Sequence, residues 1–86
     1  MKHLKTIKKY NGTLKELARD LVNLRYDALA TFLEELSTAL AEDSVADEKR
    51  KRKRLSYCLS VASLDIQCAA YTIKDAWKIC KKFIKE

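Results

Sequence analysis

The apolar residues in the C-terminal half of the chain recur too regularly to belong to loops. From Leu55, the positions Leu55, Leu59, Ala62, Ile66, Ala69, Ile73, Ala76, Cys80 and Phe83 alternate steps of four and three, the period of a helix that packs along another helix. A second row, Tyr57, Val61, Leu64, Cys68 and Tyr71, runs beside the first. Together they cover roughly 200° of the circumference, about twice the stripe that a surface helix buries. Such a helix needs more than one neighbour. The pattern predicts a multi-helix core with the first row as its packing seam, completed by a second copy of the chain.

The remaining elements follow from local signals. A short first helix is expected over residues 2–10, with Leu4, Ile7 and Tyr10 on one side. Asn11 and Gly12 then supply residues that tolerate φ > 0 at a helix end. Thr13 and Glu16 form a capping box, in which hydroxyl and carboxylate satisfy backbone N–H groups of the next first turn. The second helix is expected over 14–41, burying Leu14, Leu17, Leu21, Leu29, Phe32, Leu36 and Leu40. Residues 42–46 read as a connection, Ser44 and Asp47 repeat the cap signature, and the third helix is expected over 45–85. A short connection between long helices makes them antiparallel neighbours. The predicted fold is therefore all-α: an antiparallel helical hairpin of two long helices with a short N-terminal helix, dimerising into a four-helix-type bundle. In that register the first helix docks on the overhanging end, with Leu4 and Ile7 against Trp77, Cys80 and Phe83.

Composition keeps the picture to one domain. The chain has 86 residues, one Gly and no Pro, and its 48% hydrophobic fraction suffices for a core. A chain this short buries a modest share of its surface, so association is a common supplement. Cys58, Cys68 and Cys80 make an odd count at spacings that match no zinc or redox motif. Two cysteines that far apart on one rigid helix cannot bridge, because a disulfide needs Cα atoms within about 7 Å. They read as reduced, small, buried side chains of a cytoplasmic protein. Residues 1–9 lack the apolar run of a secretory signal. Residues 55–73 follow six basic residues in the manner of a spanning helix, but Asp65, Gln67 and three serines oppose that reading.

A net charge of +6 admits nucleic acid, acidic proteins and anionic membranes as partners. The sharpest local cluster is Lys49, Arg50, Lys51, Arg52, Lys53 and Arg54, a set of candidate phosphate or anion contacts. On a helix these six point all round, so they concentrate field at the hairpin tip without forming a groove-tracking stripe. No Asn, Gln or aromatic residue sits among them to read or stack on bases, so nucleic-acid binding there would be sequence-blind and salt-dependent. Nearby acids, with Glu35 placed opposite Arg52, offset the cluster. A second group, Lys74, Lys78, Lys81, Lys82 and Lys85, continues a polar stripe of Ser56, Ser60, Ser63 and Gln67. By helical angle Arg25 and Asp65 each fall on an apolar face, and since an uncompensated buried charge costs several kcal/mol they are expected to pair, within the chain or across a dimer seam.

His3 is the sole histidine and no glycine-rich loop is present. A histidine metal site, a Ser/His/Asp triad and a di-iron carboxylate pattern each lack parts. The sequence therefore names no catalytic, metal or cofactor-binding residue, and the chain reads as a non-enzyme. The favoured function is a protein-interaction or scaffolding module, a homodimer with an unidentified protein partner. The alternatives are a nonspecific nucleic-acid-binding dimer using residues 49–54 and, third, peripheral binding to anionic membranes.

Overall fold

The computed structural model describes residues 3–83. Those residues are all-α, with α1 at Leu14–Val22, α2 at Tyr26–Lys49, α3 at Lys53–Cys80 and a 3₁₀ turn at Lys81–Phe83. The two long helices pack against each other as an antiparallel hairpin.

Small residues line the contact between them. Ala30, Ser37 and Ser44 on α2 meet Ser56, Ser63 and Ala70 on α3, and all six are buried. Each set repeats every seven residues, two helical turns, so one line of each helix faces the other throughout. The hydroxyl of Ser37 donates to the Ser63 carbonyl at 2.8 Å and that of Ser63 to the Ser37 carbonyl at 2.7 Å. Ser44 and Ser56 repeat the exchange at 2.7 and 2.8 Å. A serine reaches the opposite backbone only if the axes lie near the short end of the usual ~8–10 Å separation. Ser56 and Ser63, expected on a polar stripe facing solvent, are thus the centre of the hairpin. The apolar row beginning at Leu55 lies to one side of this line. Leu59, Ala62, Ile66, Ile73, Ala76 and Cys80 are half-buried there, while Leu55, Ala69 and Phe83 are exposed.

The expected connection at 42–46 is helical, and the chain reverses instead at Arg50–Arg52. Ser44 and Asp47 are seam residues rather than caps. Nothing in residues 42–46 breaks a helix, and extending α2 lets Ser44 meet Ser56. The reversal is a Schellman motif, in which Arg52 N–H bonds the Asp47 carbonyl and Lys51 N–H the Glu48 carbonyl, both at 2.9 Å. Lys51 takes the left-handed position with φ of 61°, a place usually held by glycine.

Three further expectations fail. Residues 3–10 form turns rather than a helix. A helix that short is marginal alone, lysines at positions 5, 8 and 9 repel along it, and Leu4 and Ile7 remain 65% and 49% exposed rather than docked on Trp77. The single long helix expected over 14–41 is split by Asn23, the C-cap of α1, and the extended Arg25. Gly12 serves close approach rather than positive φ, since a Cβ there would lie 2.8 Å from the Tyr10 ring. The capping box at Thr13 and Glu16 is present as expected.

The molecule is long and thin, 51 × 29 × 14 Å, with a radius of gyration of 15.5 Å where a compact domain of this length has about 12 Å. The only buried hydrophobic residues among those described are Ala30 and Ala70. A seam of alanine and serine brings backbones together and leaves the large side chains beside it half-covered.

Candidate functional site

The seam divides the hairpin into two faces. Residues 44 and 56, 37 and 63, and 30 and 70 stand opposite one another, so the position of every other side chain follows from its offset to that line. One face carries Leu29, Leu33, Leu36 and Leu40 of α2 with the row from Leu55 on α3. Near the hairpin tip it holds a cleft of about 340 Å³ lined by His3, Asp43, Ala46, Asp47, Arg50, Arg52 and Leu55. His3 therefore lies at the tip, the end opposite Trp77.

The other face carries the second row. Tyr57, Leu64 and Tyr71 follow the seam residues by one position and stand 71%, 58% and 54% exposed. Between them and α2 runs a shallow groove of about 480 Å³ whose floor includes Ser37, Ala41, Ser60 and Ser63 and whose walls include Val45 and Leu64. Glu34 and Lys74 close one end of this face with an ion pair of 3.0 Å, and the Lys74 ammonium also lies 5.5 Å from the Tyr71 ring centre. Lys74 is thus half-buried and ion-paired on this face rather than part of a solvated stripe.

The basic run forms the turn itself. Lys49 closes α2, Arg50 is its C-cap, Lys51 and Arg52 make the reversal, and Lys53 and Arg54 open α3. All six side chains are exposed, but they do not share one direction: Arg50 and Arg52 fold back over the cleft beside Asp47, and Lys53 lines the opposite face beside Glu48. The α3 first turn has no acid and no side-chain cap, so cations stand where the helix dipole favours anions. Asp47, buried in the seam, is their counter-charge, with Arg52 Nη1 at 3.4 Å and Arg50 Nη1 at 4.0 Å.

Within one chain, Arg25 and Asp65 do not form the expected buried pair. Moving the reversal from 42–46 to 50–52 brings Arg25 level with residues near 75 and Asp65 level with residues near 35, so the two are separated along the hairpin. Arg25 grips Asp27 through Nε and Nη2, both at 2.8 Å, and its guanidinium lies 5.2 Å from the Trp77 ring centre. Arg25 and Asp65 are exposed and Asp27 is half-buried. The Arg25 hydrogen bonds hold the Asp27 carboxyl below its ordinary pKa. All three cysteines are free; Cys58 and Cys68 are exposed rather than buried because the lines they occupy on α3 face outward from the seam, and Cys80 is half-buried.

Sequence patterning missed the serine seam because it sought large apolar side chains at the contact. The signal was present as Ser or Ala every seventh residue on both helices, at 30, 37 and 44 and again at 56, 63 and 70. Among the described residues no helix is long and apolar enough to cross a membrane. No protein-family model, curated protein or solved structure matches the chain at a significant level.

Proposed function

We propose that this chain is a protein-interaction module that acts as a homodimer, with α3 supplying the contact surface. One observation carries the reading: the described residues contain no large, fully buried side chain, while Val61, Leu64, Tyr57, Tyr71, Ile79 and Phe83 of α3 and its end stand open to solvent. Apolar surface of this extent on a small chain marks an interaction site. Three cysteines that cannot bridge one another on one helix suit a reducing compartment, so the reading is of a cytoplasmic protein. Light scattering across a concentration series tests it. A mass of twice the 9.9 kDa chain supports the homodimer, and a monomer throughout sinks it.

A second reading has its own observation. The reversal concentrates six exposed cations, residues 49–54, at one end of the molecule. A polyanion such as nucleic acid would be held there through phosphates, with affinity falling steeply as salt rises. Duplex binding that is insensitive to neutralising Lys49, Lys51 and Lys53 would remove this turn from consideration.

A further inference from the structure

The homodimer reading leaves open which face of the hairpin is covered and in what sense. Resting on that reading, we infer that a second copy of the chain covers the face bearing Tyr57, Leu64 and Tyr71, related by a two-fold axis parallel to the helices, so that α3 of each copy lies over α2 of the other.

Shape supports this occupant. Tyr57, Leu64 and Tyr71 form a line of knobs at seven-residue spacing. The line they would meet on α2 is small and notched, with Thr38, Ala41 and Val45 beside the groove. In the register set by the seam, Leu64 comes level with residue 36, between Glu34 and Thr38 of the other copy. Tyr57 comes level with residue 43, between Ala41 and Val45. Leu64 and Tyr57 entering gaps between successive side chains of α2 are the knobs-into-holes arrangement of a four-helix bundle. The face is about 36 Å long, from the 24 residues of α2, and about 20 Å wide across two helices. That gives roughly 700 Å², close to the ~800 Å² per partner of a stable interface.

Charge selects the axis. On this face α2 is net acidic, with Glu34, Glu35, Glu42 and Glu48 against Lys49, whereas α3 is net basic, with Lys53, Arg54, Lys74 and Lys78 against Asp75, and Glu34 and Lys74 already pair within the chain. An axis parallel to the helices lays each acidic edge over the other copy's basic edge. An axis perpendicular to them stacks α2 on α2, acid against acid, which is repulsive. A surface with one acidic and one basic edge is thus complementary to itself in one arrangement. It brings Glu42 of one copy beside Arg54 of the other, two side chains that occupy opposite outer edges within a single chain.

The test is the dimer dissociation constant of the full chain by sedimentation equilibrium, with helicity followed by circular dichroism. Leu64→Glu is expected to weaken association about tenfold or more, as loss of an interface anchor does. Leu55→Glu, at an exposed position on the opposite face, should change it less than about twofold. Glu42→Arg and Arg54→Glu should each weaken it about fivefold, and the double swap should restore it. These side chains are exposed, so each variant retains its helices. Dissociation by Leu55→Glu and not by Leu64→Glu overturns the face assignment while the homodimer stands. A double swap no better than its single variants overturns the axis. A wild-type monomer at every concentration overturns the homodimer and this inference with it.

Discussion

Ser37 and Ser63 donate their hydroxyls to each other's backbone carbonyl, at 2.8 and 2.7 Å, from helices that run in opposite directions. The two bonds are related by a local two-fold, and the Ser44 and Ser56 pair repeats them two turns away. Each hydroxyl uses a carbonyl lone pair that the helix leaves over, so the seam is polar yet satisfied. Among the described residues no buried side-chain N or O atom lacks a partner. The arrangement fixes register, because sliding one helix by a residue would unmake all four bonds together.

Ser63→Ala should therefore cost about 1 kcal/mol, one modest hydrogen bond, without moving the helices. Ser63→Leu should cost more, about 1–3 kcal/mol or beyond, because the added volume has to push two backbones apart. Urea unfolding checks the order. If Ser63→Leu were as stable as Ser63→Ala, the close approach of the helices would be wrong.

Sequence patterning recovered the hairpin and the Thr13 cap, because both are written in strong local signals. It centred the reversal seven residues early, at 42–46 rather than 50–52, since Ser44 and Asp47 three apart look like a cap and are equally a seam residue and its neighbour one turn on. Two errors at the candidate sites follow from that displacement. With the turn at 50–52, Arg25 meets Trp77 rather than Asp65, and the basic run straddles the reversal instead of lying on one length of helix. The wide apolar surface of α3 was legible, but its division into two faces was not, because Ser56, Ser63 and Ala70 carry too little hydrophobicity to declare themselves a contact.

The reversal has a substitution that should improve it. Lys51 holds φ of 61°, a conformation that costs a residue with a Cβ about 1–2 kcal/mol and costs glycine little. Lys51→Gly should stabilise the hairpin by about 1 kcal/mol, partly offset by glycine's greater freedom in the unfolded chain. Lys51→Val should destabilise it, a β-branched residue being the poorest occupant of that region. Thermal unfolding at fixed salt and protein concentration measures both. A loss of stability in Lys51→Gly would count against the Schellman geometry.

Arg25 and Asp65 should behave as independent residues. Asp65→Ala is expected to lie within about 0.5 kcal/mol of wild type, as for other exposed positions. Arg25→Ala should cost about 0.5–1 kcal/mol through its contact with the Trp77 ring. The double variant should show the sum of the two effects. A coupling above about 0.5 kcal/mol would mean the two side chains meet after all.

The N-terminal segment carries two opposite pH signatures. The Tyr10 hydroxyl donates to Asp20, and that hydrogen bond, with some burial and the nearby acids, pushes the phenol up to about 12 from an ordinary 10.0. A raised folded pKa means that this stabilisation is complete below the unfolded value near 10 and is lost as pH rises from there through about 12. Glu16 is the reverse. The Thr13 backbone N–H and then its hydroxyl hold the carboxyl below its ordinary value, so its contribution is present above the unfolded pKa and is lost as pH falls through the folded one. Asp20→Asn should lower the Tyr10 midpoint, read by the phenolate absorbance difference against Tyr10→Phe, and Thr13→Ala should cost about 1 kcal/mol at neutral pH. Gly12→Ala should act like Asp20→Asn, because its new methyl group would occupy the place of the Tyr10 ring and turn the hydroxyl away. A Tyr10 midpoint unchanged by both substitutions would show that the ring does not fold back over Gly12 in solution.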